Sequence, residues 1–165
     1  MMVSNLQPLG KILISGCFLG QRVRYNGEIK PLINELLTLW QQQGRLISIC
    51  PEVISGLPVP RPAAEINLVS GKVITVDGSD VTEKFNQGAQ QALKLCQQHN
   101  IEFALLKESS PSCGSTTIYD GTFSQQKISG AGVTTKLLRQ HGIKVYSEDS
   151  ITALAEQIKA SDQTS

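Results

Sequence analysis

The sequence predicts one α/β domain, a Rossmann-like three-layer sandwich in which a mainly parallel sheet lies between two layers of helices. Short apolar runs typical of buried strands alternate with longer segments whose apolar residues recur at helical spacing. The length of 165 residues suits one domain, and 40% hydrophobic with 18% charged residues is a globular composition. Without repeats or composition shifts, we expect a single domain over residues 1–165, its core at about 11–160.

Four apolar runs are predicted as strands of the parallel sheet. They are Lys11–Ser15, Arg45–Cys50, Phe103–Lys107 and Lys144–Tyr146. Because helical segments separate them, each crossover is expected to return the chain to the same edge of the sheet, which makes the strands parallel. A different pair, Ile66–Val69 and Lys72–Val76, flanks Ser70-Gly71 and predicts a β-hairpin.

Helices are predicted between these strands, each with its apolar residues on one face. They run from Pro31 to a stop at Gly44, from a cap at Asp80 or Thr82 to about His99, over Val133–Gln140 and over Ile151–Lys159. The Pro-rich segment Gly56–Glu65 excludes a regular helix or central strand. The polar stretch with Gly121 and Gly130 is interpreted as a loop, and residues 161–165 as a flexible tail.

Charge and hydropathy argue against several classes of function. The net charge is +1, from 15 basic and 14 acidic residues, so we expect no duplex nucleic acid as partner. No apolar run approaches the roughly 20 residues of a membrane span, and Met1–Gly10 lacks the features of a signal peptide. We therefore expect a cytoplasmic protein with reduced thiols, no membrane association and a small-molecule partner. The oligomeric state stays open.

Three of the four cysteines lie at or just beyond the carboxyl ends of predicted strands. They are Cys17, Cys50 and Cys113. The carboxyl ends of parallel strands meet at one edge of the sheet, where α/β proteins bind their ligands, so we expect these cysteines to converge. Cys96 lies instead on the apolar face of a predicted helix, where cysteine behaves as a small hydrophobe.

Three converging cysteines fit more than one kind of site. Three thiolates can hold a four-iron cluster and leave one iron open to an exogenous ligand. Zinc with a fourth ligand is the main chemical competitor, although the chain has no CxxC pair, and unligated cysteines are a third interpretation. The segment Cys17–Arg22 also resembles a thiol-phosphatase loop, but one residue too short, and it would leave Cys50 and Cys113 without a role.

Several short motifs together resemble the thiouracil desulfidase family, iron–sulfur proteins long catalogued as a domain of unknown function. The motifs occur in unbroken order from about residue 11 to residue 149. They are Ser15-Gly-Cys-Phe-Leu-Gly20 with Val23-Arg-Tyr25, Cys50-Pro-Glu52, Arg61-Pro-Ala63 with Glu65, Lys107-Glu-Ser-Ser-Pro-Ser-Cys-Gly114, and Gly130 with Gly132. Each motif is weak alone, and the combination is specific.

The resemblance implies a [4Fe-4S] cluster on Cys17, Cys50 and Cys113. It also implies an enzyme that removes sulfur from a thiolated pyrimidine, of the thiouracil or thiouridine type, to give uracil and sulfide. The open iron would accept the sulfur as a Lewis acid while hydroxide adds at the ring carbon, without net electron transfer. The alternative is a zinc or iron–sulfur binding module with no turnover.

Glu52 and Ser110 match positions that look catalytic in that family. Glu52 follows Cys50 by two residues and is a candidate general acid/base, or else a solvated loop carboxylate or a cap. Ser110 could position water or relay a proton, although serine before proline is also ordinary turn chemistry. Gly130 and Gly132 precede a predicted helix and could open its N-terminus to an anion.

Substrate binding is assigned to residues with forked donors or a flat ring. Arg22, Arg24 and Arg61 are candidates to bind a phosphate or the pyrimidine carbonyls, and as surface arginines they could equally have no function. Tyr25 is a candidate to stack on the base, or else it packs within its own loop. Glu65 is interpreted as an ion-pair partner of Arg24 or Arg61.

Overall fold

A computed structural model gives the fold and describes residues 9–164. Its strands are β1 (Ile12–Ser15), β2 (Leu46–Ile49), β3 (Ala64–Ile66), β4 (Val73–Thr75), β5 (Phe103–Leu105), β6 (Thr117–Tyr119), β7 (Lys127–Ser129) and β8 (Lys144–Tyr146). Its helices are α1 (Glu35–Gln42), α2 (Pro51–Ile54), α3 (Thr82–Gln98), α4 (Val133–Gln140) and α5 (Ile151–Thr164). Most of the N-terminal segment assessed for a signal peptide, and Ser165 of the predicted tail, lie outside the described residues.

The four predicted core strands form one fully parallel sheet in the order β2-β1-β5-β8. Ile12 of β1 pairs with Leu46 on one side and with Phe103 on the other. From β1 the chain first moves outward to β2 and later returns to β5 on the opposite side of β1. This reversal creates a topological switch point between β1 and β5, the place where such sheets bind ligands.

Helices cover both faces of the sheet, which confirms the three-layer α/β sandwich. Ile12 and Ile14 point to one face and pack with apolar residues of α1 and α5. Leu13, between them, points to the other face and packs with residues of α3 and α4, because successive side chains of a strand alternate. Cys96 is buried in this second layer, as predicted for a packing cysteine. Within residues 9–164 no helix is long and apolar enough to span a membrane.

Two helix boundaries differ from the predicted ones. Helix α1 begins at Glu35 rather than Pro31, because the side chain of Asn34 caps it by accepting from the Leu36 N–H, and Ile33 is left exposed. Helix α5 continues to Thr164, so the polar residues predicted as a tail are helical up to that point. An ion pair between Arg45 Nη2 and Asp162 Oδ2, 2.5 Å long, ties this last part of the helix to the start of β2.

Two hairpins lie outside the parallel sheet. The predicted hairpin is present as β3 and β4, with its first strand starting at Ala64 instead of Ile66. The second, formed by β6 and β7, corrects the interpretation of that stretch as a loop. Its strands have three residues each, which is too short for a visible alternation. Buried Ile118 of β6 packs into the same small apolar cluster as Phe85 of α3.

Candidate functional site

The carboxyl edge of the parallel sheet opens into a cavity of about 1000 Å³. Cys17, Cys50 and Cys113 all line it, and all three are free thiols. Cys17 and Cys113 are 8% and 5% exposed, and Cys50 is half-buried. The structure thus brings the three predicted cysteines to one cavity at the switch point of the sheet.

Tight local structure presents the first two cysteines. Cys17 lies in a single 3-10 turn directly after β1, and Gly20 ends that turn in the left-handed region at φ +83°. Cys50 immediately precedes helix α2, whose first residue is Pro51. Gly88 of α3 allows this close packing, since a Cβ there would lie 2.1 Å from the carbonyl oxygen of Pro51.

The third cysteine lies in a turn closed by a serine hydroxyl. Ser110 Oγ accepts from the backbone N–H groups of Ser112 and Cys113, each at 3.1 Å. Thr135 Oγ1 of helix α4 donates to the carbonyl of Cys113 at 2.9 Å. A Cβ on Gly132 would lie 2.4 Å from the backbone of Ser112, so glycine there lets α4 approach the turn. Helix α4 therefore holds the Cys113 turn from one side.

The start of α4 is not open to an anion. Its first N–H groups donate to carbonyls of the Cys113 turn: Gly132 to Gly114, Val133 to Pro111 and Thr134 to Ser112. The glycines that suggested an anion site serve close packing instead.

The three thiols are buried close enough together to influence one another. Burial raises the pKa of Cys17 to about 11, with a further increase from Cys50. Burial also raises the pKa of Cys113, and Cys50, Glu52 and Cys17 add to the effect. For Cys50 burial again raises the pKa most. Nucleophilic cysteines need a lowered pKa, which these thiols lack.

The segment Cys17–Arg22 forms no phosphate cradle. The Gly20 N–H donates to the carbonyl of Cys17, and the Gln21 N–H also donates to a backbone carbonyl of the same turn. Arg22 is exposed, is absent from the cavity lining and donates to the carbonyl of Gly27 at 2.7 Å. The geometry gives no support to the thiol-phosphatase interpretation.

A single metal ion also finds no ready site. Among residues 9–164 no three Cys, His, Asp or Glu side chains are grouped closely enough to hold one ion. Mononuclear zinc, which needs its ligands around one ion, thus receives no support from the geometry.

Glu52 lines the cavity from the first turn of α2 and is paired with Arg61. Arg61 Nε lies 3.0 Å from Glu52 Oε1, and the side chains are 6% and 15% exposed. Burial raises the pKa of Glu52, and the nearby Arg61 only partly offsets this. Glu52 is therefore no solvated loop carboxylate. Arg61, proposed from sequence as a substrate ligand, also donates through Nη1 to the carbonyl of Pro58 and through Nη2 to that of Val23.

Arg24 and Tyr25 line the cavity beside Cys17. Arg24 Nη1 is buried without a hydrogen bond and lies 3.5 Å from the Glu28 carboxylate. Tyr25 is exposed at the mouth of the cavity. Glu65 is paired with neither Arg24 nor Arg61 in the described ion pairs, which corrects the interpretation from sequence; it accepts from backbone N–H groups of the β6–β7 turn.

Comparisons with known proteins bear on the whole of this arrangement. The family model described as 2-thiouracil desulfurase matches residues 12–150. The chain belongs to this family. The resemblance inferred from the short motifs is therefore confirmed, and with it the expectation of an enzyme of the desulfurase family.

Two relatives cover almost the whole desulfurase-family chain. One is TudS, a [4Fe-4S]-dependent thiouracil desulfidase of solved structure, whose sequence is 48% identical to this one. The two structures superpose with a TM-score of 0.88, and the match spans 92% of this chain and 99% of the TudS chain. YbbK, an uncharacterised protein of Bacillus subtilis strain 168, is 40% identical over 148 residues, which are 85% of this chain and 97% of YbbK.

One wall of the desulfurase cavity was missed by the sequence reasoning. The β6–β7 hairpin contributes Tyr119, Phe123, Gln125 and Lys127 to it. Lys127 Nζ lies 5.6 Å from the centre of the Tyr119 ring. No pattern in the sequence identified these residues. The strands of the hairpin have three residues each, too few to show the alternation that predicts a strand.

Proposed function

We propose that this chain is a [4Fe-4S]-dependent desulfidase that removes sulfur from a thiolated pyrimidine of the thiouracil or thiouridine type, giving uracil and sulfide. The observation that carries the proposal is the meeting of Cys17, Cys50 and Cys113 at one cavity in a member of the 2-thiouracil desulfurase family. The [4Fe-4S]-dependent activity of the similar protein TudS supports it.

The donor set fits the cluster. Thiolates are the ligands that iron–sulfur clusters use, and each cysteine binds a different iron, so three leave one iron without a protein ligand. The fourth cysteine, Cys96, is buried in the core and does not line the cavity. When bound, the cluster would supply a Lewis-acidic iron for the sulfur atom. We place the enzyme in the cytoplasm, where thiols stay reduced.

Glu52 is assigned as the proton carrier. Replacing C=S by C=O consumes one water and releases hydrogen sulfide. The water oxygen ends as the carbonyl oxygen, so both of its protons must leave it, and the departing sulfur must be protonated. Glu52 is a cavity carboxyl whose burial raises its pKa, and Arg61 fixes its orientation through Oε1. A carboxyl with a raised pKa takes up a proton more readily than an ordinary one, which suits it to give and accept a proton in acid/base catalysis.

Ser110 is assigned as a hydrogen-bond donor. Its Oγ already accepts two backbone N–H groups of its own turn, from Ser112 and Cys113. A hydroxyl has one proton and two acceptor sites, so the proton of Ser110 remains to be donated. Because Ser110 lines the cavity, that proton is available to the substrate or to the attacking water.

Arg24 and Tyr25 are the candidates for substrate contact. The buried Nη1 of Arg24 lacks a hydrogen-bond acceptor, and a pyrimidine carbonyl would supply one. The Tyr25 ring at the mouth of the cavity could stack on the base. Arg61 positions Glu52 in this scheme, and Arg22 takes no part.

Anaerobic reconstitution with iron and sulfide tests the proposal, followed by assays of sulfide release and of the oxo product: uracil from 2-thiouracil and 4-thiouracil, and uridine from their nucleosides. We expect a brown protein that releases one sulfide per molecule of oxo product. A brown protein without turnover on any of them would favour the non-catalytic module, and a colourless protein that binds zinc would overturn the cluster.

A further inference from the structure

Glu108 is a buried carboxylate that no step above uses. It is 8% exposed and lies in the loop that follows β5. Its Oε1 accepts from the backbone N–H groups of Ser109, Ser115, Thr116 and Thr117, at 2.9 to 3.1 Å. Its Oε2 accepts from the hydroxyls of Ser115 and Thr116, at 2.6 and 3.1 Å. One carboxylate thus binds two residues at one end of the loop's closing segment, Ser115 and Thr116, together with Ser109 at its start and Thr117 at the beginning of β6.

These donors lie on both sides of the residues assigned to the chemistry. Ser109 directly precedes Ser110, and Ser115 follows Cys113 by two residues. Ser109 has a φ of +67°, a conformation that serine rarely adopts and that needs support from its surroundings. The N–H of Ser109 donates to Glu108, and its Oγ lies 2.9 Å from Thr117 Oγ1. The two ends of the loop therefore meet at Glu108.

We infer that Glu108 is a positioning residue that holds the loop carrying Ser110 and Cys113 in its final geometry before the cluster binds. Without the carboxylate, four buried or half-buried N–H groups would lack their acceptor, and the loop would loosen. Ordering a loose loop at the moment of binding lowers affinity. The expected loss of iron loading rests on the proposed function, whereas the expected loosening of the loop does not.

Alkylation of Cys113 tests the inference on the full-length, reduced, cluster-free chain. Cys113 is buried, so its alkylation rate, followed by peptide mass spectrometry, reports opening of the loop. In Glu108→Ala we expect that rate to rise by ~10-fold or more while that of Cys96 stays unchanged, because only local opening is involved. Glu102→Gln, at an exposed carboxylate next to the opposite end of β5, is the matched control and should behave as wild type.

Glu108→Gln separates positioning from charge. Its amide oxygen can still accept the four N–H groups, while the hydroxyls of Ser115 and Thr116 can turn to accept from its amide nitrogen. Alkylation of Cys113 should therefore fall back towards the wild-type rate, although Gln and Ala remove the same charge. Iron bound per chain after reconstitution should follow the same order, with wild type highest, then Gln, then Ala.

A wild-type alkylation rate in Glu108→Ala would overturn the inference, and so would a parallel rise at Cys96, which would indicate general loosening. Circular dichroism shows whether Glu108→Ala folds. If it does not, the double variant Ser115→Ala/Thr116→Val takes its place, because it removes only the two hydroxyl donors. The inference fails if this double variant does not speed the alkylation of Cys113. A wild-type chain that loads no iron would instead overturn the proposed function, leaving the alkylation result intact.

Discussion

Glu52 and Arg61 form an ion pair in the wall of the cysteine cavity, with 3.0 Å between Oε1 and Nε. Arg61 also donates to the carbonyl of Pro58, in the Pro-rich segment, and to that of Val23, in the loop after Cys17. The same Val23 carbonyl lies 3.8 Å from the thiol sulfur of Cys50. One guanidinium therefore ties Glu52, in the segment of Cys50, to the loop after Cys17 and to the Pro-rich segment.

Removing this guanidinium should destabilise the protein. In Arg61→Met the buried Glu52 loses its partner, and we expect the free energy of unfolding to fall by about 3 kcal/mol, as when one partner of a buried ion pair is removed. Urea denaturation of the cluster-free chain measures this. Arg22→Met is the matched control, because Arg22 is exposed and away from the cavity, and should change little. Equal stability of the two variants would contradict a structural role of the pair.

Glu52→Gln should separate proton transfer from cluster binding. A carboxylate is a hard ligand poorly matched to a thiolate-bound cluster, so iron content and brown colour should be unchanged. Sulfide release should fall by ~10²-fold or more, the size expected when a positioned acid/base is removed. Iron per chain and turnover are to be measured on the same preparation. Joint loss of iron and activity would make Glu52 a ligand or a structural support.

Ser110→Ala should have a milder effect on turnover than Glu52→Gln. We expect a fall of ~10-fold, because a water molecule can partly replace the lost hydroxyl as donor. Since Ser110 also accepts from the N–H groups of Ser112 and Cys113, iron content has to be measured beside the rate. Ser110→Thr, which keeps the hydroxyl, should retain more activity. Full activity in Ser110→Ala would remove Ser110 from the mechanism.

The cysteines themselves give the sharpest test of the site. Serine replacement of Cys17, Cys50 or Cys113 should abolish stable cluster loading, because each change removes a thiolate ligand. Cys96→Ser is the matched control: this thiol packs in the core beside Ala92 and Leu93, so the variant should keep its cluster and lose only some stability. Iron and sulfide analysis after reconstitution decides, and iron loss confined to Cys96→Ser would show the assignment to be wrong.

The parallel sheet was predictable because its central strands β1 and β5 are buried on both faces. The run Ile12–Ile14 of β1 is apolar and is followed within three residues by Cys17, so element and site residue appear together in the sequence. The convergence of Cys17 with Cys50 then followed from topology alone, since parallel strands align their carboxyl ends.

The elements that sequence missed are short or depend on distant partners. Strand β7 has three residues, of which two are exposed, so no pattern distinguishes it from a loop. The end of α5 is polar and has no apolar pattern that would predict a helix. Its Asp162 contacts Arg45, which is more than a hundred residues away in the sequence. The contacts of Arg61 with Glu52 and Val23 could not be predicted for a similar reason, because they join segments that meet only once the chain is folded.

The acid sensitivity of the fold should depend on Glu108. Burial by itself raises the pKa of this carboxyl, but hydrogen bonds from Ser115, Thr116, Thr117 and Ser109 outweigh it and hold the pKa well below its usual range. The unfolded chain then binds more protons than the folded one, so the stability due to Glu108 is present above the ordinary pKa of about 4.3 and is lost as pH falls below it.

Urea unfolding of the cluster-free chain at pH 6, 4 and 3 measures this loss against Glu108→Gln, which cannot titrate. The neighbouring charges are Glu148, which accepts from the Glu108 N–H, its partner Lys107, and Arg139, which donates to the carbonyl of Ser115. All three are kept in the variant, so their own titration cancels in the difference between the two proteins. We expect wild type to be the more stable at pH 6 and the difference to shrink towards pH 3, because only wild type must take up a proton on unfolding. Stability curves that run parallel over this range would show that Glu108 is not held ionised by its loop.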